Sequence, residues 1–389
     1  MFTSLTLVVI AGLLGPLLAA GRRSLVPVLV GELIAGAIIG RSGLHLIHPS
    51  EQPFPVFLSL GFAMLMLEAG TEVDLASKDL RNRSLRGGLA LLAALVVSIP
   101  LGIAFSALLR TGHPQLLIVL LAGCSAAVAF PTIQERGLTG PAIAQLIAWM
   151  TLADAITALL MPLTLSGASH IPAALLGDVL IIGVAAGAVV VGHRLFSTAL
   201  ADEAKRESKH RHWALQLRIS VLLLLALGAI AERTGASLLI AGFAAGIVLR
   251  QFHEPHRLVQ QLTGLATGFF VPAFFVLLGA TLDVSGLVRS PSAIALAVAM
   301  ATGSTAVHVL ASLAAGKDQK VASGLLASAQ LGLPAAAAAL GLASGSLTPP
   351  VAAALVASGC LTLIPASIGA ILLAGKPRTT PSEPLRRRL

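Results

Sequence analysis

The sequence predicts an all-α polytopic membrane protein with 13 transmembrane helices, ten of them in two inverted five-helix repeats with crossed discontinuous helices. Three observations predict it. Of 389 residues, 56% are hydrophobic and only 11% are charged, whereas a soluble domain carries about a quarter charged residues. Apolar runs long enough to cross a hydrocarbon core of about 30 Å recur along the whole chain. The basic residues between these runs fall almost entirely on alternate flanks. Lipid offers the backbone no hydrogen-bond partner, so the runs must be helices, and they are too long and too evenly apolar for barrel strands.

Taken along the chain, the first run covers 4–20, and neither a basic stretch before it nor an A-x-A-like site marks it as a signal peptide. Runs at 25–40, 54–70, 88–109, 115–133 and 142–166 make the first repeat. Two linker helices follow at 171–192 and 215–231. Runs at 236–250, 264–280, 292–315, 321–343 and 350–374 make the second repeat. The chain thus divides into 1–24, 25–170, 171–235, 236–375 and a basic tail, 376–389.

Charge tests this count, because cytoplasmic flanks hold the Lys and Arg. One set of flanks carries 22 of the 26, among them Arg22, Arg23, Arg136, Lys317 and Lys320, and the other carries only Arg41, Arg110, Arg233 and Arg289. The N-terminus is therefore expected outside and the C-terminus in the cytoplasm. Basic flanks of this kind also touch anionic lipid, so the net charge of +9 needs no nucleic acid as partner. Cys124 and Cys360 lie in different apolar runs and suggest neither a disulfide nor a metal site.

Repetition appears in two places. "LIAG" at 33–36 returns at 239–242, and "GTEVDL" at 70–75 is echoed by "GATLDV" at 279–284, at nearly one offset. That offset shifts the pattern by seven runs, an odd number, so the copies cross the membrane in opposite senses. Inverted repeats of this kind are characteristic of secondary transporters, whose substrate sites lie where paired helices are interrupted near the midplane. The fifth run, "LLIVLLAGCSAAVAFPTIQERGL", brackets Cys124, Ser125 and Ala126 between Gly123 and Pro131. At the same offset the twelfth, "GLLASAQLGLPAAAAALGLASG", holds Gln330, Gly332 and Pro334. Proline frees a backbone carbonyl, and opposed half-helix ends leave partial charges in the bilayer. Gly and Pro also make simple kinks, but matching positions in both repeats favour interruption.

Residues 146–165, "LIAWMTLADAITALLMPLTL", carry one ionisable side chain, Asp154, about half way across. An intramembrane carboxylate is costly unless it faces water or a partner, so it reads as functional. It can hold a proton or a hydrated metal cation but not both, which suffices for cation/proton exchange when access alternates. A packing carboxylate satisfied by Thr151 or Thr157 is the other account. Glu32 is the rival acid, first as an interhelical hydrogen bond and second as a proton relay; Asp178 also lies in an apolar run, and Glu68 near an interface. His308 could shuttle protons or partner Asp154, or simply bond across helices.

The run "LVPVLVGELIAGAIIGRSGL" resembles the helix that opens the first repeat of monovalent cation:proton antiporters, in the Kef-type and NapA-like branch of the cation/proton antiporter 2 superfamily. "LMLEAGTEVDL", "AGCSAAVAFPTIQERGL", "TLADAITAL" and "GFFVPAFFVLLGATLDV" resemble, in order, further segments of that family. The resemblance implies that Asp154 binds the ion, with Ser125 supplying a hydroxyl beside it. It also implies a dimerisation scaffold and a six-helix core that moves the site like an elevator, within a homodimer in the bacterial plasma (inner) membrane. No cofactor is implied. Three departures bear on mechanism: Ala153 stands where relatives carry Asp, Asn or Gln, Ser304 where some carry Lys, and "AQLGLP" lacks a Glu of Kef-type relatives. One carboxylate without an opposing Lys implies one proton per cation, hence electroneutral exchange.

After residue 375 only a short basic tail remains, so no nucleotide-binding domain of the full-length Kef kind is expected in this chain. The polar stretch 194–218 reads as an inter-repeat linker or as an amphipathic helix sensing pH through His210 and His212. No nucleophile, base and orienting group cluster at recognisable spacing, so an enzyme is not expected. The function read from the residues is antiport of Na+ or K+ against H+; a same-fold transporter of an organic anion or other solute coupled to an ion is the alternative.

Overall fold

Each apolar run contains helix in the computed structural model of the chain. The structure describes residues 2–19, 28–71, 78–125, 129, 132–133, 136–165, 171–196, 207, 211, 215–234, 238–251, 262, 264–315 and 321–374. Ala126, Pro131, His210, His212 and the tail 376–389 lie outside this set.

The first body of sequence forms α1 (Phe2–Ala19), α2 (Val28–Ile39), α3 (Phe54–Thr71), α4 (Lys78–Leu109), α5 (Pro114–Ala122) and α6 (Pro141–Leu165). Then come α7 (Ile171–Phe196), α8 (Leu215–Thr234) and α9 (Leu238–Gln251), and a π turn (Ala266–Phe270) that runs into α10 (Val271–Thr281). The remainder forms α11 (Val284–Arg289), α12 (Pro291–Ala314), α13 (Val321–Ala327), α14 (Gly332–Ala343) and α15 (Pro349–Ala374).

Local chemistry sets many of these boundaries. Proline opens α5, α6, α12 and α15, where its missing N–H costs nothing and its fixed φ suits the first turn. Ser290 caps α12, its hydroxyl accepting from Ala293 N–H at 3.3 Å, and the Asp283 carboxylate caps α11 through Gly286 N–H at 2.8 Å.

Among the described residues, seven helical stretches are long and apolar enough to cross a membrane: Phe54–Thr71, Arg86–Leu109, Ala142–Leu165, Leu175–Arg194, Pro291–Ala314, Val321–Ala343 and Pro349–Ala374. Phe2–Leu18, Val28–Ile39, Leu238–Gln251 and Ala266–Thr281 are apolar but shorter. Both α2 and α9 abut residues outside the described set, so each is described from a point inside its apolar run. Outward faces are those of a lipid-bathed protein: Leu92 and Val96 on α4 are each 57% exposed, and Leu176 on α7 is 67% exposed.

The helices pack as two bodies. In one, α2 lies on α10 and α3 on α9, with α1 against α2 and α8 against α9. In the other, α4, α5 and α6 pack together, α12 lies on α4, and α13 and α14 pack against α15. The pairs in the first body approach closely because glycines face backbone: a Cβ on Gly36 would strike the Val276 carbonyl, and one on Gly246 the Leu67 carbonyl. Helix α9 touches α6 across the seam between the bodies. Arg41 N–H donates to Ala280 O at 3.0 Å, and the Ser42 hydroxyl donates to Leu282 O at 2.7 Å while accepting from Val284 N–H at 2.8 Å. These bonds tie the end of α2 to the end of α10.

Candidate functional site

Two helices are broken in the second body. Helix α5 stops at Ala122, and Gly123 turns away with an extended backbone, φ −74° and ψ 148°. Between α13 and α14, residues 328–331 are likewise not helical. The breaks meet: Ser125 N–H donates to Ala329 O at 2.7 Å. Gly123 lets them approach, because a Cβ there would strike the Leu333 side chain.

Pro334, on the first turn of α14, has no N–H to offer the Gln330 carbonyl four residues back. The Thr362 hydroxyl of α15 lies beside that carbonyl, 3.2 Å from Gln330 O, and accepts from Gln330 N–H at 3.3 Å, while its own proton goes to Gly359 O at 2.7 Å. The Gln330 side chain reaches α12, donating from Nε2 to Ser304 Oγ at 2.9 Å. Ser304 O in turn accepts from His308 Nδ1 at 2.8 Å, and the His308 ring stacks on Trp149 of α6 at 5.6 Å and 27°. A polar chain therefore links the second break to α15, α12 and α6. His308 Nε2, Trp149 Nε1 and Gln330 Oε1 are buried with no hydrogen-bond partner among the described residues.

Asp154 lies half way along α6 and half-buried. It lines a cavity of about 30 Å³ at the seam between the two bodies. Ser125 of the first break, with Gly332 and Leu333 of the second, forms one wall, and Leu65, Met66, Leu239 and Phe243 of α3 and α9 form the other. A space of this size holds about one water-sized particle.

The other expected residues are placed as follows. Cys124 is fully buried, its thiol 3.7 Å from Met150 O. Thr151 is 7% exposed on α6, one turn before Asp154, and does not line the cavity. The Thr157 hydroxyl donates to Ala153 O at 2.6 Å, so its proton goes to the helix backbone. Glu32 sits in the other body, 1% exposed beside Gly15, and its Oε2 has no partner among the described residues. Trp149 and Thr362 were not anticipated; a single Trp in an apolar run was a signal for the first, whereas nothing marked the second. Among the described residues no three His, Cys, Asp or Glu gather as a metal cage.

The chain matches the family described as "Sodium/hydrogen exchanger, transmembrane" over residues 7–374. It is 27% identical to the putative Na(+)/H(+) antiporter YjbQ of Bacillus subtilis over 72% of this chain and 47% of that protein. It is 27% identical to the Na(+)/H(+) antiporter NhaS5 of Synechocystis over 72% of this chain and 40% of that one. With the glutathione-regulated potassium-efflux system protein KefC of Salmonella paratyphi B it shares 29% identity over 69% of this chain and 44% of KefC. The chain thus spans less than half the length of these curated relatives. The sodium proton antiporter MjNhaP1 of Methanocaldococcus jannaschii has the same fold, with a TM-score of 0.61 over 96% of this chain and 99% of that one at 18% identity. These relatives are transporters, not enzymes. A match covering nearly the whole membrane region settles the kinship: this chain belongs to the transmembrane sodium/hydrogen exchanger family.

Proposed function

We propose that the chain exchanges a monovalent cation, Na+ or K+, for H+ across a bacterial plasma (inner) membrane by alternating access. Asp154 is the carboxylate that the two ions share. The observation that carries this reading is the position of Asp154: beside the meeting of two broken helices, on a cavity whose far wall belongs to the other body. If the second body slides along α3 and α9, the carboxylate is uncovered first to one side and then to the other. In the cavity the cation binds Asp154 with the Ser125 hydroxyl, and the half-helix ends at Gly123, Cys124, Gln330 and Gly332 complete the field around it. Thr151 joins when the seam opens. A proton returning to Asp154 displaces the cation.

The same reading makes 25–170 and 236–375 inverted repeats joined by linker helices, with 13 crossings, an outside N-terminus and a cytoplasmic C-terminus. The packing supports it, because α2 on α10 and α3 on α9 are the pairs that an exchange of the two repeats would carry into each other. Exchange is electroneutral, since Ser304 stands on α12 where some relatives carry a Lys. The working form is a homodimer.

The test is growth of an antiporter-deficient bacterial strain in high salt at alkaline pH. Wild type rescues and Asp154→Asn does not; equal rescue by both sinks the carboxylate mechanism.

A further inference from the structure

The seam carries a second and much larger hollow. A groove of about 980 Å³ lies between α2 of the first body and α12 and α15 of the second, with α11 beside them. Its walls present bulky apolar side chains to the outside: Ile34 and Ile38 on α2, Val288 on α11, and Ile294 and Val298 on α12 are 43% to 66% exposed. The lining is polar at one end. Ser42, Ser285 and Arg289 lie there, in the segments where α2 finishes and α12 begins. Asp283, the neighbouring acid, accepts from Gly286 N–H and from the Ser285 hydroxyl, and the charges of Arg41 and Arg289 both act on it, so two cations face one carboxylate at this rim and a net positive charge is left for an outside anion.

An apolar trough with one cationic rim matches a molecule with a long apolar part and an anionic head. A soluble anion would not use the length of the trough, and a neutral hydrocarbon would not use the arginine. With the N-terminus outside, as proposed, Arg289 lies on the outer side, so the lipid belongs to the outer leaflet; there a guanidinium binds phosphate through paired N–H donors. We propose that this groove is a binding site for an anionic phospholipid, with its phosphate at Arg289 and its acyl chains along α2, α12 and α15. The occupant would touch both bodies at once, so it would oppose their sliding. That consequence rests on the exchange reading above; the binding does not.

The test is thermal unfolding of the detergent-purified full chain titrated with palmitoyl-oleoyl phosphatidylglycerol, with the matching phosphatidylcholine, and with glycerol phosphate. Phosphatidylglycerol is expected to raise Tm by roughly 3 °C more than phosphatidylcholine at saturating lipid, and glycerol phosphate to leave it unchanged. Arg289→Glu should lose the excess given by phosphatidylglycerol, and Arg289→Lys should keep part of it. Ala357→Phe, which narrows the trough from α15, should lose stabilisation by both lipids while Arg289 remains. Equal shifts by the two lipids, an excess that survives Arg289→Glu, lipid stabilisation unchanged in Ala357→Phe, or an equal shift with glycerol phosphate would each overturn the proposal. None of these readouts requires transport.

Discussion

Ser125 N–H and Ala329 O are joined by a 2.7 Å hydrogen bond, although about two hundred residues separate them in the chain. It is the point at which the two broken helices become one structure. Its donor belongs to the backbone and its neighbour on the cavity is the Ser125 side chain, so two substitutions separate fold from binding. Ser125→Pro removes the donor from a buried site and should sharply lower the yield and Tm of the purified protein. Ser125→Ala keeps the bond and loses only the hydroxyl. It should stay folded while the cation concentration for half-maximal exchange rises about fivefold, the equivalent of about 1 kcal/mol. Vesicle dequenching against cation concentration measures this, and an unchanged half-saturation value would remove Ser125 from the site.

His308 tests a different link. Its Nδ1 lies 2.8 Å from the Ser304 carbonyl, which can only accept, so that nitrogen carries the proton. Its ring stacks on Trp149 and its Nε2 has no partner among the described residues. The geometry is that of packing between α12 and α6. His308→Ala should therefore destabilise by about 2–4 kcal/mol through the cavity it leaves, while the pH midpoint of exchange stays where it was. A shift of that midpoint in the better-packed His308→Gln would return His308 to the proton path.

The proposed exchange also makes a prediction about the charge moved per cycle. Gln330 Nε2 bonds to Ser304, so the second break is met on that side by neutral groups, and among the described residues Asp154 is the one carboxylate lining the cavity. On the proposed exchange, one proton leaves for each cation that enters. In proteoliposomes the final cation gradient should follow the proton gradient and ignore an imposed potential. If one net charge moved, about 100 mV would shift that gradient by about 2.3 kcal/mol, roughly fiftyfold, so the measurement is decisive.

Much of this was legible before any coordinates, and the limit has a physical origin. Apolar length set the helices, Gly123 and Pro334 set the breaks, and the lone acid of α6 marked a residue that lines the cavity beside those breaks. Side-chain direction was not legible. Helices α3 and α6 are apolar nearly all round, so no polar face tells which side of each points inward. Thr151 and Thr157 illustrate the result: both were plausible partners for Asp154 by spacing, yet Thr151 does not line the cavity and Thr157 donates to the Ala153 carbonyl. Thr362 accepts from Gln330 N–H from a position 32 residues further on, and only packing decides that.

The cap of α11 gives a prediction in pH. Asp283 is held below its ordinary carboxyl value of 3.8, chiefly by the Gly286 N–H, which outweighs the next effect, burial, that raises it; the Ser285 hydroxyl and then the charges of Arg41 and Arg289 lower it further. A carboxyl whose folded value is depressed stabilises the fold above its unfolded value, and that stabilisation is lost as pH falls through the folded value. Asn caps a helix about as well as Asp, so Asp283→Asn isolates the charge, while Asp283→Ala removes the cap as well. The side chain is only partly buried and its charge is screened by solvent. At neutral pH, Asp283→Ala should therefore cost about 1 kcal/mol and Asp283→Asn less than half of that. The gap between wild type and Asp283→Asn should be constant at neutral pH and should close below about pH 4. Thermal unfolding of the two proteins between pH 3 and pH 8 tests this, and a gap that widens in acid would mean that the carboxylate is stabilised in the unfolded chain instead.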